Sequence, residues 1–482
     1  NWEGVQSVAV LMDGTVKAYD VTPSTVDNTS ATLTSTDPYY WTNHNNITVT
    51  AWWPYTAGET IPPAVKVKAN QSAQKDFEGS DLIVADGQTV TYGSPTLRFT
   101  HRTARVTIVL TDYTEGLASV QLTGLSTEGG NPAEIVPYDK GSNTYTALVA
   151  PQSVAAGTTF ITCTFTNGKT LVYKMKNAAD WQAGGEYTYT VSLAAEKGYI
   201  IEDDGSYTVT SADGLMNIAE LVNGGKTDIN ITLTADIDLT GKNWTPIGTS
   251  FHNSYTGTFD GGGHTITGLT VTTNDEGVGL FGYLGKAGTV KNVVMEGVQI
   301  TSNQIYGGKI GGVAGYSDGT IENCSVSVSG TVYVGGVVGA QWEGSITGCS
   351  SSATVKGTVY VGGVTGQTNS SATLTACYAT GNVIIEIHPT NNISGGGLVG
   401  FNGGNGVWAC YATGNVTSTG SSTGKVHISG FLGDNYTTVT ACYWKNNHEQ
   451  GIGYKKEGTV TEVTKVDGSV VTWQKAVDAM NT

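Results

Sequence analysis

Short runs in which apolar or β-branched residues alternate with polar ones occupy the first 195 residues. Examples are SVAVLM at 7–12, TARVTIVL at 103–110 and EYTYTVSL at 186–193, with Gly, Pro, Asn and Asp clusters between the runs. Such strands and turn signals predict β-sandwich folding. Because this stretch is large for one sandwich, we expect two lobes, 1–105 and 106–195, followed by a charged linker at 196–206.

A different pattern begins near residue 278 and repeats until about residue 445. Each copy has an apolar, glycine-rich segment that closes on a glycine, and a cysteine or valine follows nine to eleven positions later. Self-similarity at a period of 24 to 34 residues predicts stacked coils, so we expect a β-helix over 207–482. The repeated pairs are Gly282 with Val293, Gly315 with Cys324, Gly339 with Cys349, Gly366 with Cys377, Gly400 with Cys410, and Gly433 with Cys442.

Five of the six cysteines mark one position of this repeat, three residues after an aliphatic side chain. Residues three apart on a flat strand point to opposite faces, so two inward side chains require a bend between them. Asn323, Gly348 and Ala376 are small residues at that place. Since Val293 replaces the cysteine in one copy, we expect buried free thiols rather than disulfides. The aliphatic residues are Ile321, Ile346, Leu374, Val407 and Val439.

The length variation of the repeats lies between each cysteine and the next closing glycine. The longer connections there, 296–309, 384–394 and 415–427, are expected to be loops on one edge of the solenoid. Insertions in a repeat protein often form its binding face. This edge is therefore where the sequence predicts function.

Helical spacing of apolar residues occurs outside the repeats. Residues 214–222 predict one helix, which Ser211 is suited to cap, and TWQKAVDAM at 472–480 predicts a short terminal helix. The end coils of a solenoid need covering. We expect the first helix to cap one end and the tail after residue 445 to cover the other. The apolar positions of the first helix are Leu215, Ile218, Ala219 and Val222.

The charge of the chain limits its partners. The formal net charge is -16, and the arginines are Arg98, Arg102 and Arg105 alone. Binding to nucleic acid or to an anionic membrane surface needs a basic patch, so neither partner is expected. No apolar run reaches about 18 residues, which argues against a membrane span. The chain also opens without a recognisable signal peptide.

Candidate catalytic and metal sites in the sequence are weak. The acidic residues of the repeats do not recur at matched positions. The run at 448–452, HEQGI, lacks the second histidine of a zinc-protease helix, and FDGGGH at 259–264 lacks the Lys-Ser/Thr of a phosphate loop. We therefore expect no catalytic residue, no metal and no cofactor.

Aromatic residues in or beside the repeats are the candidates for ligand binding. Sugar rings stack on exposed aromatic side chains, and core packing is the competing interpretation for each. The candidates are Trp342, Trp408 and Trp444.

The repeat resembles the GLUG motif of bacterial surface proteins. The copies that carry the resemblance are VGGVTG with LTACYATGNV over 361–383 and GGGLVG with VWACYATGNV over 395–416. The lead-in over 234–269 is also similar to what precedes such repeats. The resemblance covers roughly 205–482 and implies a right-handed parallel β-helix on secreted, adhesin-like proteins.

Residues 1–195 resemble a fimbrillin-like domain of Bacteroides-type bacteria. The matching segments are DLIVADG at 81–87, LRFTHRTARVTIVL at 97–110, the stretch 144–165, and WQAGGEYTYTVSL at 181–193. The resemblance implies two transthyretin-like sandwich lobes and a role in pili or adhesion. No lipobox cysteine is visible near residue 1, and the first strand usual in this family is absent or shortened, so lipid anchoring and donor-strand assembly both stay open.

The sequence thus predicts an all-β, exported protein of the cell surface, outer membrane or fimbrium. Its expected function is a non-enzymatic adhesin or pilus-tip-like protein that binds a glycan or protein through the β-helix, with pilus subunits as further partners. Two alternatives stay open. One is a polysaccharide-active β-helix enzyme, and the other is a structural spacer.

Overall fold

A computed structural model describes the chain except residues 1, 3, 28, 274, 303–307, 330–332 and 482. It contains two compact units, Asn1–Glu196 and Lys197–Thr482. Both consist mostly of β-strands, which confirms the predicted all-β class.

One antiparallel sheet of six strands dominates residues 7–101 of the first unit. Its strands bury alternate side chains on opposite faces, with Val8 and Val10 in one apolar cluster and Ala9 and Trp52 in another. Loop segments, together with a short helix at Gln74–Glu78, accompany this sheet. In sheet order the strands are Ala31–Thr34, Thr15–Pro23, Ser7–Met12, Ile47–Trp53, Ile83–Val90 and Thr100–His101.

Three smaller sheets enclose a separate core in the rest of the first unit. Ile108, Phe160 and Trp181 lie at its centre. Val67, which precedes the predicted lobe boundary at 105/106, also packs into this second core. The boundary itself stays a prediction. The four-stranded sheet contains Glu186–Ser192, Ala104–Thr111, Thr144–Val149 and Tyr138–Gly141. The three-stranded sheet contains Thr170–Lys174, Thr159–Phe165 and Leu117–Leu122, and the two-stranded sheet contains Gln152–Val154 and Ala179–Trp181. Two 3-10 turns, Glu128–Gly130 and Ala194–Lys197, also belong to this unit.

The second unit is a parallel β-helix whose longest sheet runs through all its coils. Most coils add two short strands to this sheet, and each strand pairs in parallel with the equivalent strand of the next coil. The strands are Tyr199–Ile201, Tyr207–Val209, Ile231–Leu233, Ile237–Asp238, Thr258–Asp260, Thr265–Thr267, Thr270–Thr273, Thr289–Lys291, Val294–Ser302, Thr320–Glu322, Ser325–Ser329, Ser345–Thr347, Ser350–Ser351, Thr373–Thr375, Tyr378–Ala379, Gly406–Trp408, Tyr411–Ala412, Val439–Trp444 and Val460–Lys465.

Three further parallel sheets form the other sides of the β-helix. The first two arise from the glycine-rich hexamers and the residues that follow them, and the third from the long connections. The six-stranded sheet contains Gly277–Val278, Lys309–Ile310, Tyr333–Gly335, Tyr360–Gly362, Ile393–Gly396 and Val426–Ser429; the seven-stranded sheet contains Phe281–Leu284, Ala314–Ser317, Val338–Gln341, Thr365–Thr368, Val399–Asn402, Leu432–Asn435 and Ile452–Lys455; the three-stranded sheet contains Val355–Gly357, Val383–Glu386 and Val416–Thr419.

The predicted interior of the repeats is confirmed. The aliphatic residues align in register from coil to coil, as Ile321 does with Ile346 and Ile346 with Leu374, and all three are fully buried. The cysteines are buried and free, and the Cys324 amide lies 3.4 Å from the Cys349 Sγ atom. Stacking of apolar side chains at every rung supplies the hydrophobic stabilisation that a one-dimensional array needs.

The predicted bend before each cysteine is also confirmed. Asn323, Ala376 and Ala409 have φ of 52°, 53° and 52°, and Gly348 has φ 64° at the equivalent place. This left-handed backbone rotates the chain so that the aliphatic residue and the cysteine both point inward. Left-handed backbone at a residue other than glycine is strained, and here it recurs at one position of successive coils.

The hexamer glycines are required by a close approach across the coil. A Cβ atom on Gly363 would lie 2.5 Å from the Cβ atom of Ala379 on the opposite strand. Gly397 faces Ala412 in the same way in the next coil. The same Cβ atoms would also lie 2.3 Å from a backbone oxygen of the next coil, so glycine is required there both by the opposite side chain and by the neighbouring coil.

Helices and connections complete the second unit. The helix Ala212–Asn223 buries the four predicted apolar residues, and the Ser211 side chain accepts a hydrogen bond from the Gly214 amide at its N-terminus. A 3-10 turn at Phe251–Asn253 and a terminal helix at Trp473–Met480 follow. Residues 199–201, in the stretch expected as a linker, instead form a strand that pairs with Tyr207–Val209.

The long connections and the tail contain more regular structure than expected. Val383–Glu386 and Val416–Thr419, at the predicted loops 384–394 and 415–427, pair in parallel because equal insertions stack on each other. Of the predicted loop 296–309, residues 303–307 lie outside the described part of the chain. The tail adds strands Ile452–Lys455 and Val460–Lys465 to the last coil.

Candidate binding surface on the β-helix

The residue after each closing glycine forms a row across the seven-stranded sheet. Tyr283 pairs with Tyr316 and Tyr316 with Ala340, while Gln367 pairs with Phe401 further along. Tyr283, Tyr316 and Ala340 form an apolar cluster distinct from the core. The row therefore lies on the outer side of this sheet.

Four aromatic rings assemble at one end of the row, and we call them cluster one. Phe251 stacks edge-on against Tyr316 with 4.4 Å between ring centroids and against Tyr283 with 4.9 Å. Trp342 lies 5.8 Å from Tyr316 on the other side. The two tyrosines are covered by their neighbours, whereas Phe251 is 54% and Trp342 41% exposed. Cluster one therefore presents two aromatic faces to solvent over a packed base.

Acidic side chains surround cluster one. Burial, together with the charge of Glu343, raises the pKa of the Asp318 carboxyl above its ordinary value, and Lys286 opposes that shift. Lys286 forms an ion pair with Glu343 at 2.6 Å. Burial and the nearby carboxylates also raise the pKa of the Tyr316 hydroxyl. The hydroxyl therefore stays protonated at neutral pH and can donate a hydrogen bond.

Five rings form a second assembly on the same side of the β-helix, which we call cluster two. Phe401 lies 5.1 Å from both Tyr360 and Tyr436. Tyr454 lies 6.3 Å from Tyr436 and stacks on His427 at 4.8 Å. Lys456 lies 5.0 Å from the centre of the Tyr436 ring. Cluster two is thus a mixed aromatic and polar surface, and 38% of Tyr454 is exposed.

The two clusters lie in register along the axis of the β-helix. Each residue that follows a strand of this sheet donates a backbone hydrogen bond to the preceding coil. Trp342 bonds to Ser317 and Asn369 bonds to Gln341, and the same pattern continues coil by coil to Tyr436. Trp342 and Tyr436 are therefore equivalent residues three coils apart. At about 4.8 Å for each rung, this spacing is about 14 Å.

A third set of aromatic rings lies on the long sheet, where the terminal helix covers Tyr411 and Tyr443 while Tyr378 stays 36% exposed. Tyr378 and Tyr411 stack in parallel with 4.9 Å between centroids. Trp473 of the terminal helix packs edge-on against Tyr411 at 5.4 Å, and Tyr443 joins the same buried cluster. These rings fasten the terminal helix to the β-helix.

The three predicted tryptophans take three different places. Trp342 belongs to cluster one. Trp408 is half-buried on the long sheet, where its ring lies over Gly406. Trp444 occupies the inward position of Ala412 in the following coil, is 6% exposed and donates a hydrogen bond to the His448 carbonyl, so core packing, the competing interpretation, describes its place.

The remaining chemistry of the described residues is sparse. No group of three or more His, Cys, Asp or Glu side chains suited to a metal lies together in the described part of the chain. Among those residues, no helix is both long and apolar enough to cross a membrane. A cavity of about 650 Å³ lies in the first unit, lined by Trp2, Leu97 and Phe99 among others.

Apart from Trp342, sequence reasoning missed the rings that build both clusters, although a signal for some of them exists. Tyr283, Tyr316 and Phe401 each follow a closing glycine of a repeat directly. Recurrence of an aromatic residue at that single position indicates an aromatic stripe. Phe251 carries no such signal because it precedes the repeats.

Two family models match the chain. A model described as fimbrillin-like matches residues 1–211, and a model of the GLUG motif matches residues 330–356. The predicted resemblance to both families is confirmed. The fimbrillin-like match covers the whole first unit, and the GLUG match includes the repeat that contains Gly339 and Cys349.

A curated relative and two solved structures are similar to parts of the chain. Halomucin of Haloquadratum walsbyi is 31% identical over 241 residues, or 46% of this chain, and the chain spans 2% of that protein's length. A Bacteroides ovatus structure provisionally named an immunoglobulin A1 protease is 19% identical, covering 54% of this chain and 85% of its own, with a TM-score of 0.42. A Bacteroides uniformis structure provisionally named a cell adhesion protein is 19% identical, covering 40% of this chain and 87% of its own, with a TM-score of 0.33.

Proposed function

We propose, from the fimbrillin-like domain and the GLUG motif that this chain carries, that the protein is a non-enzymatic adhesin or pilus-associated protein of the cell surface. In this proposal the fimbrillin-like unit associates with pilus subunits and the β-helix binds a glycan or a protein. The observation that carries the proposal is cluster one, where Phe251 and Trp342 are exposed on a rigid, packed base.

The physical reason is the cost of exposed aromatic surface. Large exposed apolar rings that lie together on a stable scaffold are typical of interaction sites, whereas rings needed for stability are usually covered. Tyr283 and Tyr316 hold Phe251 and Trp342 in place, so a ligand meets rings that need no ordering on binding. The parallel sheet beneath them supplies the rigidity.

Binding of the full chain to a glycan array and to purified extracellular-matrix proteins tests the proposal. We expect at least one ligand to bind, and Trp342→Ala to weaken that binding at least tenfold. Tyr378→Ala is the matched control, because Tyr378 is a partly exposed ring (36%) on the long sheet, away from both clusters. Equal loss with Trp342→Ala and Tyr378→Ala, or no ligand at all, would contradict the proposal.

One observation favours the alternative of a polysaccharide-active enzyme. The raised pKa of Asp318 beside Glu343 is a property of the general acid in glycoside hydrolysis, which requires a second carboxylate near it. Incubation of the full chain with any polysaccharide that binds, followed by chromatography of the products, separates the two functions. Release of oligosaccharides that stops with Asp318→Asn would replace the adhesin proposal by the enzyme.

A further inference from the structure

We propose that the two aromatic clusters together bind one chain of an uncharged polysaccharide that lies along the axis of the β-helix. The inference rests on the proposed function, because it names the ligand class and the direction of the ligand for the same surface. Both clusters lie on the seven-stranded sheet or its border, and Trp342 and Tyr436 are equivalent residues three coils apart.

Aromatic faces and polar neighbours fit the two kinds of surface of a sugar. The CH face of a pyranose is apolar and buries area against a ring, while its hydroxyl groups need hydrogen-bond partners. Exposed Phe251 and Trp342 offer such faces in cluster one, and Tyr454 offers one in cluster two. Trp342 of cluster one and Tyr436 of cluster two occupy equivalent positions three coils apart, which matches a polymer better than a compact ligand.

The residues between the clusters support a continuous path. Ala340, Gln367 and Asn369 occupy the intervening outer positions, so only small or amide side chains stand between the rings. The Asn369 Nδ2 atom is shielded from solvent and has no hydrogen-bond partner among the described residues. A rotation of this amide would offer a donor to a sugar hydroxyl at a point one coil from Trp342 and two coils from Tyr436.

The charges favour an uncharged ligand over an acidic one. Asp318 and Glu343 border cluster one, and the charges of Asp275 and Glu276 act on Tyr283. Asp434 borders cluster two through its 2.5 Å hydrogen bond to His427. A polymer of uronate or sulfate groups would meet these carboxylates, and like charges brought together in a partly desolvated site repel.

The covered rings on the long sheet strengthen the assignment. There the chain supplies its own partner, Trp473, for the Tyr411 ring. At cluster one the chain leaves Phe251 and Trp342 exposed, so the partner of those rings comes from outside. Lys286 neutralises Glu343 and Lys456 lies over Tyr436, but Asp318, Asp275 and Glu276 leave cluster one acidic, which makes an uncharged chain a better partner there than an acidic one.

The test begins with electrophoresis of the full chain through gels that contain one polysaccharide each. The probes are hydroxyethyl cellulose, laminarin and starch as uncharged polymers, and polygalacturonate and dextran sulfate as acidic ones. We expect retardation by at least one uncharged polymer and by neither acidic polymer. Oligosaccharides of the retained polymer, graded from two to ten sugars, are then titrated by calorimetry.

The oligosaccharide series distinguishes one long site from two separate ones. We expect the affinity to rise at least tenfold once the oligosaccharide spans both clusters, about 14 Å, because the second contact becomes intramolecular. Trp342→Ala and Tyr436→Ala should each remove this rise, whereas Tyr378→Ala should preserve it. Melting temperatures measured by circular dichroism verify that all three variants are folded.

Three results would overturn the inference. These are binding of the acidic polymers only, an affinity independent of oligosaccharide length, or a rise that survives both Trp342→Ala and Tyr436→Ala. A different result would be that a matrix protein binds, that Trp342→Ala abolishes this binding and that no polysaccharide binds. The inferred ligand class would then be wrong, while the adhesin proposal would stand. If the full chain binds nothing, both proposals fail.

Discussion

The β-helix carries aromatic rings on two of its faces, and the terminal helix covers two of the rings on one face. Tyr411 and Tyr443 on the long sheet pack under the terminal helix, where Trp473 closes the cluster. Phe251, from a 3-10 turn, and Trp342, directly after a strand of the seven-stranded sheet, are 54% and 41% exposed. The same type of side chain on the same scaffold therefore has two roles, which are set by what lies above it. Covered rings stabilise the protein, and the exposed rings are the ones to which we assign ligand binding.

The difference also concerns charge. The covered rings pack against apolar neighbours such as Val466 and Ala476. Around cluster one, the partly buried Asp318 is held close to Glu343. A buried carboxylate near another is unfavourable for folding, so its presence marks a surface that is not optimised for stability alone.

The largest expected effect tests the interior that both faces share. Gly363→Val should reduce the free energy of unfolding by about 3 kcal/mol, because the added Cβ would lie 2.5 Å from the Ala379 Cβ. Denaturant unfolding followed by circular dichroism measures the loss. The control is Gly93→Val, since an added Cβ there meets no atom within 4 Å. Equal stability of the two variants would refute the close-approach argument.

The next largest effect concerns the stability of the terminal helix that covers part of the long sheet. Trp473→Ala should lower the local stability of the terminal helix by about 2 kcal/mol, because a partly buried ring is removed from Tyr411. Hydrogen exchange of residues 472–480 measures that change. Ligand binding at cluster one should be unaltered, and a simultaneous loss of binding would show that the two faces are not independent.

On the exposed face the expected effect on stability is small. Trp342→Ala should change the free energy of unfolding by less than about 1 kcal/mol, because 41% of this side chain already contacts solvent. The same denaturant experiment provides the measurement, with Trp473→Ala as the comparison. A loss as large as that of Trp473→Ala would mean that cluster one is structural.

The smallest expected effect is a pH-dependent gain in melting temperature. The pKa of Asp318 is raised in the folded protein, so folding favours the protonated carboxyl. The charged Asp318 carboxylate therefore destabilises the folded protein. This destabilisation is absent below the ordinary aspartate pKa and complete once the pH exceeds the raised pKa. Asp318→Asn should therefore raise the melting temperature at pH 7 and leave it unchanged near pH 3. A gain of equal size at both pH values would remove the electrostatic explanation.

Much of the β-helix could be predicted because its determinants are local and repeated. Closing glycines and cysteines at a nearly fixed distance mark the coils, and Ile321, Ile346 and Leu374 stack as expected. The left-handed bend at Asn323 and Ala376 followed from requiring two inward side chains. The helix after Ser211 followed from its apolar spacing.

The binding surface could be predicted only in part. Trp342 was a candidate from its place beside the repeats, but so was Trp444, which fills the interior of a late coil. Nothing local distinguishes the two tryptophans, because inward or outward direction depends on register with the neighbouring coils. The expected loops at 384–394 and 415–427 likewise became strands through pairing with each other.

The sequence by itself determined the coils, their inward residues and the place of each bend. These features recur in every repeat and depend on contacts between equivalent residues, so one copy predicts the next. Only the tertiary structure decided which rings meet. Phe251 reaches Tyr316 from outside the repeats, and Trp473 reaches Tyr411 from the far end of the chain. Contacts between residues so distant in sequence leave no periodic trace, and they separate the covered face from the exposed one.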